Sequence, residues 1–233
     1  MRVILDGRIP SSWFEEPDSV RLASGQAFAS LEFDSHSPVF LGGVDIKDAF
    51  CRIELPSDLR DLFGLPSIRA CHVGVQSVPG TPVHPNDMIA PCFKGVPMGW
   101  NQSLWICQSL HEIVAGRVQT TAASRFVDRK ATPVLRPFGH TEYVDNFIAL
   151  GQSRAPVLEV AQHVEHELNA AGLPTHPLEI SAGGSTLGWT FQEDFPCVGV
   201  NLRMAWKIRL AIMEVLALGF ASGDTVCILW PPQ

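Results

Sequence analysis

Residues 141–151 have the sequence Thr-Glu-Tyr-Val-Asp-Asn-Phe-Ile-Ala-Leu-Gly, and no other stretch indicates the architecture of the chain so directly. A turn-like segment precedes them at 136–140, and their apolar half is 147–150. This pattern predicts a β-hairpin with an acidic and an amide side chain, Asp145 and Asn146, at its tip. A carboxylate at such a tip can ligate a metal ion if a second carboxylate arrives from a neighbouring strand. Asp45, in the upstream stretch 44–50, is the candidate for that second carboxylate.

The composition narrows the class of protein. The chain has 233 residues, of which 46% are hydrophobic, so it can bury the core of one domain or about one and a half. Its formal net charge is −7, whereas a simple DNA- or RNA-binding module is basic overall, so the charge argues against such a module. The negative charge argues less strongly against a polymerase, because the acidic centre of a polymerase can coexist with local basic strips.

The sequence carries no targeting or membrane signal. Acidic and basic residues both occur within the first eight positions, so the apolar region of a signal peptide is missing. The apolar stretch 210–220 is too short to span a bilayer and contains Glu214. The six cysteines include no Cys-x-x-Cys pair, which indicates free thiols. We therefore expect a soluble intracellular protein, in the cytoplasm or nucleus, with no membrane partner.

The predicted elements follow the order strand, helix, hairpin, helix, strand. A strand ends near Asp45, and apolar residues at helical spacing predict helices over 102–118 and 155–171. Further predictions are short strands at 2–6, 70–75, 186–191 and 198–202, and a last helix over 204–220. This order predicts an α+β fold, an antiparallel sheet with helices packed on one face.

Five short motifs together resemble the reverse transcriptases of retroviruses and LTR retroelements. In chain order they are a fingers strand at 2–8, the first catalytic palm motif at 44–53, a template- and nucleotide-positioning motif at 96–103, the Tyr-x-Asp-Asp hairpin at 143–146 and the primer grip at 187–189. The resemblance covers residues 2–191. It implies a polymerase palm with partial fingers over residues 1–198 and a C-terminal helical segment, the start of a thumb, over 199–233. It also implies a fragment of a retroelement polyprotein.

The resemblance implies an RNA-directed DNA polymerase, which transfers a deoxynucleoside monophosphate to a primer 3′-end. Its partners are then an RNA or DNA template-primer and a dNTP, and its cofactors are two Mg²⁺ (or Mn²⁺) ions. Two such ions, roughly 3.5–4 Å apart, clamp the attacking oxygen and the leaving pyrophosphate. By resemblance Asp45 and Asp145 bind both metals, and Asn146 is the third catalytic position.

Four nucleotide-binding residues are implied in the same way: Arg2, Phe50, Met98 and Gly99. The guanidinium of Arg2 suits a bidentate contact with the triphosphate. The ring of Phe50 lies beneath the sugar, where it would collide with a 2′-hydroxyl. Gly99 has no Cβ and permits close backbone approach to the template or nucleotide.

Two further expectations concern residues after the hairpin. Leu187, Gly188 and Trp189 correspond to the primer grip. The family often places a lysine before this turn to protonate pyrophosphate, but residues 173–186 contain neither lysine nor arginine. His176 is therefore a candidate general acid, because imidazole titrates near neutral pH. The alternative is an ordinary exposed loop histidine.

Two residues depart from the family pattern and leave other interpretations open. Asn146 replaces the second aspartate of the hairpin, which removes one negative charge and predicts weakened catalysis. Met98 replaces the usual glutamine. A second hypothesis is a catalytically decayed palm that acts only in nucleic-acid or protein binding. A third is an unrelated α+β domain, in which Asp45 caps a helix and Asp145 and Asn146 form a common turn pair.

Overall fold

The computed structural model describes residues 6–34, 37–78, 80–118, 124–130, 137–193 and 198–219. The helices in these ranges are α1 (Arg8–Ser11), α2 (Gly25–Ala29), α3 (Ala49–Arg52), α4 (Ser57–Arg60), α5 (Ala70–Val73), α6 (Ser103–Ala115), α7 (Arg154–Ala170) and α8 (Leu202–Leu218), with a 3-10 turn at Asp61–Phe63. The strands are β1 (Phe40–Asp45), β2 (Ile68–Arg69), β3 (Ser77–Val78), β4 (Thr81–Pro82), β5 (Met88–Ile89), β6 (Gly139–Tyr143), β7 (Asn146–Gly151), β8 (Glu179–Ala182), β9 (Gly184–Thr186), β10 (Trp189–Phe191) and β11 (Val198–Val200).

The main sheet of the described residues has the strand order β6-β7-β1-β8, and each neighbouring pair is antiparallel. β6 and β7 form the predicted hairpin, joined by a two-residue turn at Val144 and Asp145. β1 lies between β7 and β8, so the strand that ends at Asp45 is central in the sheet. The expected antiparallel sheet is confirmed.

Both long helices in the middle of the chain cover one face of this sheet. The apolar stripe of α7 is fully buried against β1 and β7 and comprises Val157, Val160, Val164 and Leu168. α6 packs against α7 and β6, and its buried apolar residues belong to the same core cluster. Side chains of a strand alternate between faces, so Val44 points into this core and Asp45 points to the opposite face.

The opposite face of the sheet is covered only in part. α2, Phe126 and β10 bury Ile148 and Leu150 in a second apolar cluster, in which Phe28 contacts Phe126 edge to face. The cluster lies over the middle of β7 and stops short of the strand end where Asn146 lies. One end of this face therefore remains open, and it is the end that carries Asp45.

Some predicted elements differ from the structure. The stretch predicted as weak strand at 70–75 is the short helix α5, which ends at Gly74, a residue with a φ of +68°. α8 begins two residues before the predicted start because the side chain of Asn201 accepts a hydrogen bond from the Arg203 amide and caps the helix. Residues 2–5 of the predicted N-terminal strand lie outside the described residues. No helix in the described ranges combines the length and the apolar character needed to cross a membrane.

Candidate functional site

The end of β1 and the tip of the hairpin meet at the open end of the sheet. Asp45, the last residue of β1, is the register partner of Asn146, the first residue of β7. Directly opposed residues of an antiparallel pair lie on the same face. Asp145 occupies the turn just before Asn146, and its carbonyl accepts a hydrogen bond from the Ile46 amide at 2.9 Å. The three predicted catalytic residues are thus brought to one place.

Asn146 has a specific relationship with the aspartate beside it. Its side-chain amide nitrogen donates a hydrogen bond to Oδ1 of Asp145 at 2.9 Å. A carboxylate at position 146 could not donate this bond and would face Asp145 with a like charge. The amide therefore gives the Asp145 carboxylate a hydrogen-bond donor in the absence of a metal ion.

The loop after α7 brings His176 to the same end of the sheet. The Lys47 amide donates to the Pro174 carbonyl and the His176 amide donates to the Asp45 carbonyl, each at 2.8 Å. Ile46 and Thr175 form an isolated antiparallel bridge between these two bonds. The side chain of His176 is exposed, and its role as a general acid stays a prediction.

A polar cleft of about 530 Å³ opens at this end. Its walls include Asp45, Asn146 and His176. Further polar side chains of the lining lie on β8 and β9, namely Glu179, Ser181, Ser185 and Thr186. The volume lies in the range of ligand-binding clefts, roughly 300–1,000 Å³.

Two of the predicted nucleotide-binding residues share a second pocket. Phe50 and Met98 both line this cavity of about 310 Å³, whose walls are largely apolar. Gly99 has a φ of +110°, and a Cβ on Gly7 would overlap its carbonyl group. Among the described residues, it is thus the backbone of Gly7 that lies close to Gly99. The predicted contact of Gly99 with a template or nucleotide stays a prediction. Arg2 lies outside the described residues.

The predicted primer grip is a tight hairpin turn between β9 and β10. Leu187 and Gly188 connect the paired residues Thr186 and Trp189, and both have positive φ values, +48° and +83°. Positive φ at both central residues is typical of a type I′ turn. Trp189 stacks on Phe28 with ring centroids 6.2 Å apart, so its ring packs against the second apolar cluster.

Side chains of α6, which the sequence did not single out as functional, hold the hairpin tip. Val144 has a φ of +57°, a conformation that costs a β-branched residue about 1–3 kcal/mol. Its amide donates to Oε1 of Gln108 at 2.7 Å, and its carbonyl lies 3.0 Å from Nδ1 of His111. Nε2 of Gln108 also donates to the Glu142 carbonyl at 3.1 Å. The strained turn is therefore bonded to α6 on both sides of Val144.

A buried charge network lies behind this contact. The carboxylate of Glu142, 2% exposed, accepts from Nε of Arg125 at 2.6 Å and lies 3.0 Å from Nε2 of His140. Arg125 also pairs with Glu112 of α6. Burial alone would raise the pKa of Glu142, but the hydrogen bond and charge of His140, with the charge of Arg125, outweigh it and lower the pKa to about 2. The network ties β6 to α6 directly below the tip.

One signal in the sequence points to these residues. Gln108 and His111 lie on the buried face of α6, among apolar neighbours such as Cys107 and Val114. A buried polar side chain requires a hydrogen-bond partner, so two of them at helical spacing indicate a polar group on the packed element. Helical periodicity alone places them in the core and does not show that partner.

The oxygen ligands available at the tip suit a hard cation. Asp45 and Asp145 supply carboxylates, and Asn146 supplies an amide oxygen beside them. No group of three or more His, Cys, Asp or Glu side chains in the described residues is placed to hold a metal ion. Mg²⁺ sites that bind phosphate substrates commonly use only one or two carboxylates and retain several waters. The donor set therefore fits a magnesium ion that arrives with such a substrate.

No family model matches the chain, and no curated protein sequence matches it. Among solved structures, the chain is similar to a foamy viral protease-reverse transcriptase in complex with double-stranded DNA, with a TM-score of 0.59 and 12% sequence identity. The match covers 89% of this chain and 30% of that one, so the chain spans less than a third of its structural neighbour. At this identity the likeness concerns the fold, which is similar to part of a reverse transcriptase.

Proposed function

We propose that this chain is an RNA-directed DNA polymerase-like domain that transfers a deoxynucleoside monophosphate to a primer 3′-end. The observation that carries the proposal is the register of β1 and β7, which sets Asp45 opposite Asn146 with Asp145 beside them. The sheet with α6 and α7 is then the polymerase palm. The similarity in fold to a protease-reverse transcriptase in complex with double-stranded DNA supports this assignment.

In this proposal Asp45 and Asp145 would hold two Mg²⁺ or Mn²⁺ ions together with the substrate phosphates. When bound, such ions would supply Lewis-acid stabilisation of the attacking and leaving oxygens. The residues of the chain position the reactants: the cleft beside Asp45 receives the primer end, and the turn at Leu187, Gly188 and Trp189 flanks its path. Phe50 and Met98 line the pocket for the incoming dNTP, and Arg2 contacts its triphosphate.

His176 is proposed as the general acid that protonates the leaving pyrophosphate. Its backbone is bonded to Asp45, and its side chain is exposed in the cleft. We expect His176→Gln to lower the rate of the chemical step by about 100-fold. His166→Gln is the matched control, because His166 is also exposed but lies on α7 away from the cleft. Equal rates for His176→Gln and His166→Gln would remove His176 from the mechanism.

A second candidate is a decayed palm that binds nucleic acid without turnover. It is favoured by Asn146, which takes the place of an acidic residue and is already bonded to Asp145. The two candidates share the cleft and differ only in chemistry. Binding of a template-primer with no extension would therefore support the second candidate.

A primer-extension assay with Mg²⁺ or Mn²⁺ tests the proposal. We expect addition of the dNTP that is complementary to the template, and a loss of about 100-fold or more in Asp145→Asn. Asp58→Asn is the control, because Asp58 is an exposed aspartate on α4. Extension that is equal in Asp145→Asn and the parent chain would refute the proposed mechanism.

A further inference from the structure

His111 is a polar residue of α6 whose side chain is buried. Its side chain is 1% exposed, and its Nε2 atom has no hydrogen-bond partner among the described residues. A buried polar atom without a partner is unfavourable for folding. Packing alone therefore does not account for a histidine at this position. The contact made by its other ring nitrogen does.

The other ring nitrogen, Nδ1, is bonded to the strained turn. It lies 3.0 Å from the Val144 carbonyl, and that oxygen can only accept, so Nδ1 carries the proton and donates. Cys107 makes a longer contact with the same oxygen, with Sγ at 3.7 Å. Burial lowers the pKa of His111, which keeps the ring neutral near neutral pH with Nε2 unprotonated.

The hydrogen bond from His111 acts on the residues that follow Val144. Asp145 and Asn146 are the next two residues, and the Asp145 carbonyl docks on the Ile46 amide at the end of β1. Rotation of the Val144 peptide would therefore move the Asp145 carboxylate and break this docking bond. Three carboxylates from three elements are near enough to oppose the effect of burial on the pKa of His111: Glu142 of β6, Asp145 of the turn and Glu112 of α6.

We propose that His111 is a positioning residue for the hairpin tip: its Nδ1–H fixes the Val144 peptide and thereby aims the Asp145 carboxylate toward Asp45. A role of His111 in catalysis rests on the proposed function, whereas its role in positioning the hairpin tip does not. His111 touches no substrate in this account and acts only through Val144.

The decisive comparison is between His111→Leu and His111→Asn. Leucine fills the site but cannot donate, whereas the asparagine amide places a donor close to the position of Nδ1. We expect His111→Leu to raise the metal concentration for half-maximal incorporation by about tenfold, and His111→Asn to restore most of that loss. His111→Met is a second apolar variant in case His111→Leu does not fold. Parent-like metal dependence in a folded apolar variant would overturn the proposal.

A second measurement does not depend on activity. Hydrogen exchange of the Ile46 amide reports the docking bond to Asp145, and the Ala149 amide in the middle of β7 reports general stability. We expect exchange at Ile46 to accelerate about tenfold in the apolar variant, with little change at Ala149 and parent-like exchange in His111→Asn. Equal acceleration at both amides, or none at either, would overturn the proposal. If the parent chain incorporates no nucleotide, the proposed function fails, while exchange at Ile46 still tests the role of His111.

Discussion

Asp45 lies directly opposite Asn146 in the register of β1 and β7, and the acidic residue at the hairpin tip, Asp145, is displaced by one residue into the turn. The position that faces Asp45 on the same side of the sheet is thus neutral. This relationship lets the tip fold without a metal ion between opposed carboxylates. It also identifies the residue whose charge should control metal dependence.

Asn146→Asp should make folding and activity more dependent on metal. A carboxylate at 146 opposes Asp45 and cannot donate to Asp145, so stability without metal should fall by about 1 kcal/mol. Saturating Mg²⁺ should restore it, because the ion neutralises the added charge, and the incorporation rate should rise. Thermal unfolding with and without Mg²⁺ measures the first effect and primer extension the second. The expectation fails if Mg²⁺ stabilises the variant no more than the parent.

Glu142→Gln should remove an acid-sensitive part of the stability. The pKa of Glu142 is about 2 when folded against an ordinary 4.5, so its contribution is present above pH 4.5 and is lost as pH falls through about 2. The variant removes the buried carboxylate that Arg125 and His140 contact, whereas Arg125 keeps Glu112, so the cost should be about 1.5–3 kcal/mol at pH 7.

Urea unfolding of parent and variant from pH 7 to pH 2.5 measures this effect. The difference in unfolding free energy should shrink steadily below pH 4.5. Glu159→Gln, at an exposed position of α7, should leave the curve unchanged. A difference that is constant with pH would contradict the assignment of the low pKa to Glu142.

The sequence predicts correctly those secondary-structure elements that have a strong local pattern of residues. The hairpin and α7 follow from the turn residues and from Val157, Val160, Val164 and Leu168 at helical spacing. The pairing of β8 with β1 was not predictable, because it joins residues about 140 positions apart and no local pattern specifies it. The docking of the 174–176 loop on β1 depends on backbone hydrogen bonds, which leave no trace in side-chain type.

In the candidate site, too, some residues could be predicted from the sequence and others could not. Asp45, Asp145 and Asn146 are predicted as a set because the short motifs that contain them resemble those of reverse transcriptases in sequence and order. The support of the tip is not predicted, because Gln108 and His111 follow the apolar period of α6 and reveal their role only through contacts with Val144. Residue identity indicates chemistry, whereas positioning depends on long-range packing.

Phe50→Ala should relax the choice of sugar. If the ring of Phe50 excludes a 2′-hydroxyl, its removal should reduce the preference for dNTPs over rNTPs by about tenfold or more. Phe93→Ala is a matched control, because Phe93 lines the same pocket and also loses a ring. Competitive incorporation of paired dNTP and rNTP substrates measures the ratio. A similar change in both variants would assign the effect to general loosening of the pocket.

Gly43→Val should block the cleft without unfolding the chain. A Cβ at Gly43 would have nothing within 4 Å, and valine favours a strand, so thermal stability should be retained. Its methyl groups would enter the cleft and weaken template-primer binding by about tenfold. In contrast, a Cβ at Gly42 would lie 3.0 Å from Cγ1 of Val157, so Gly42→Ala should cost about 1–3 kcal/mol of stability.

Fluorescence anisotropy with a labelled template-primer measures the binding of both variants. Gly42→Ala should bind like the parent at a temperature where it is folded. Unchanged binding by folded Gly43→Val would place the nucleic acid elsewhere on the molecule.

The central claim is that Asp45 and Asp145 serve one metal site, and a double-mutant cycle of Mn²⁺ affinity tests it most directly. Asp45→Asn, Asp145→Asn and the double variant are titrated with Mn²⁺ by electron paramagnetic resonance in the presence of template-primer and dNTP. For carboxylates that share an ion, the double variant should lose little more affinity than the worse single variant. Losses in free energy that simply add, or Mn²⁺ affinity that neither single substitution changes, would contradict the account.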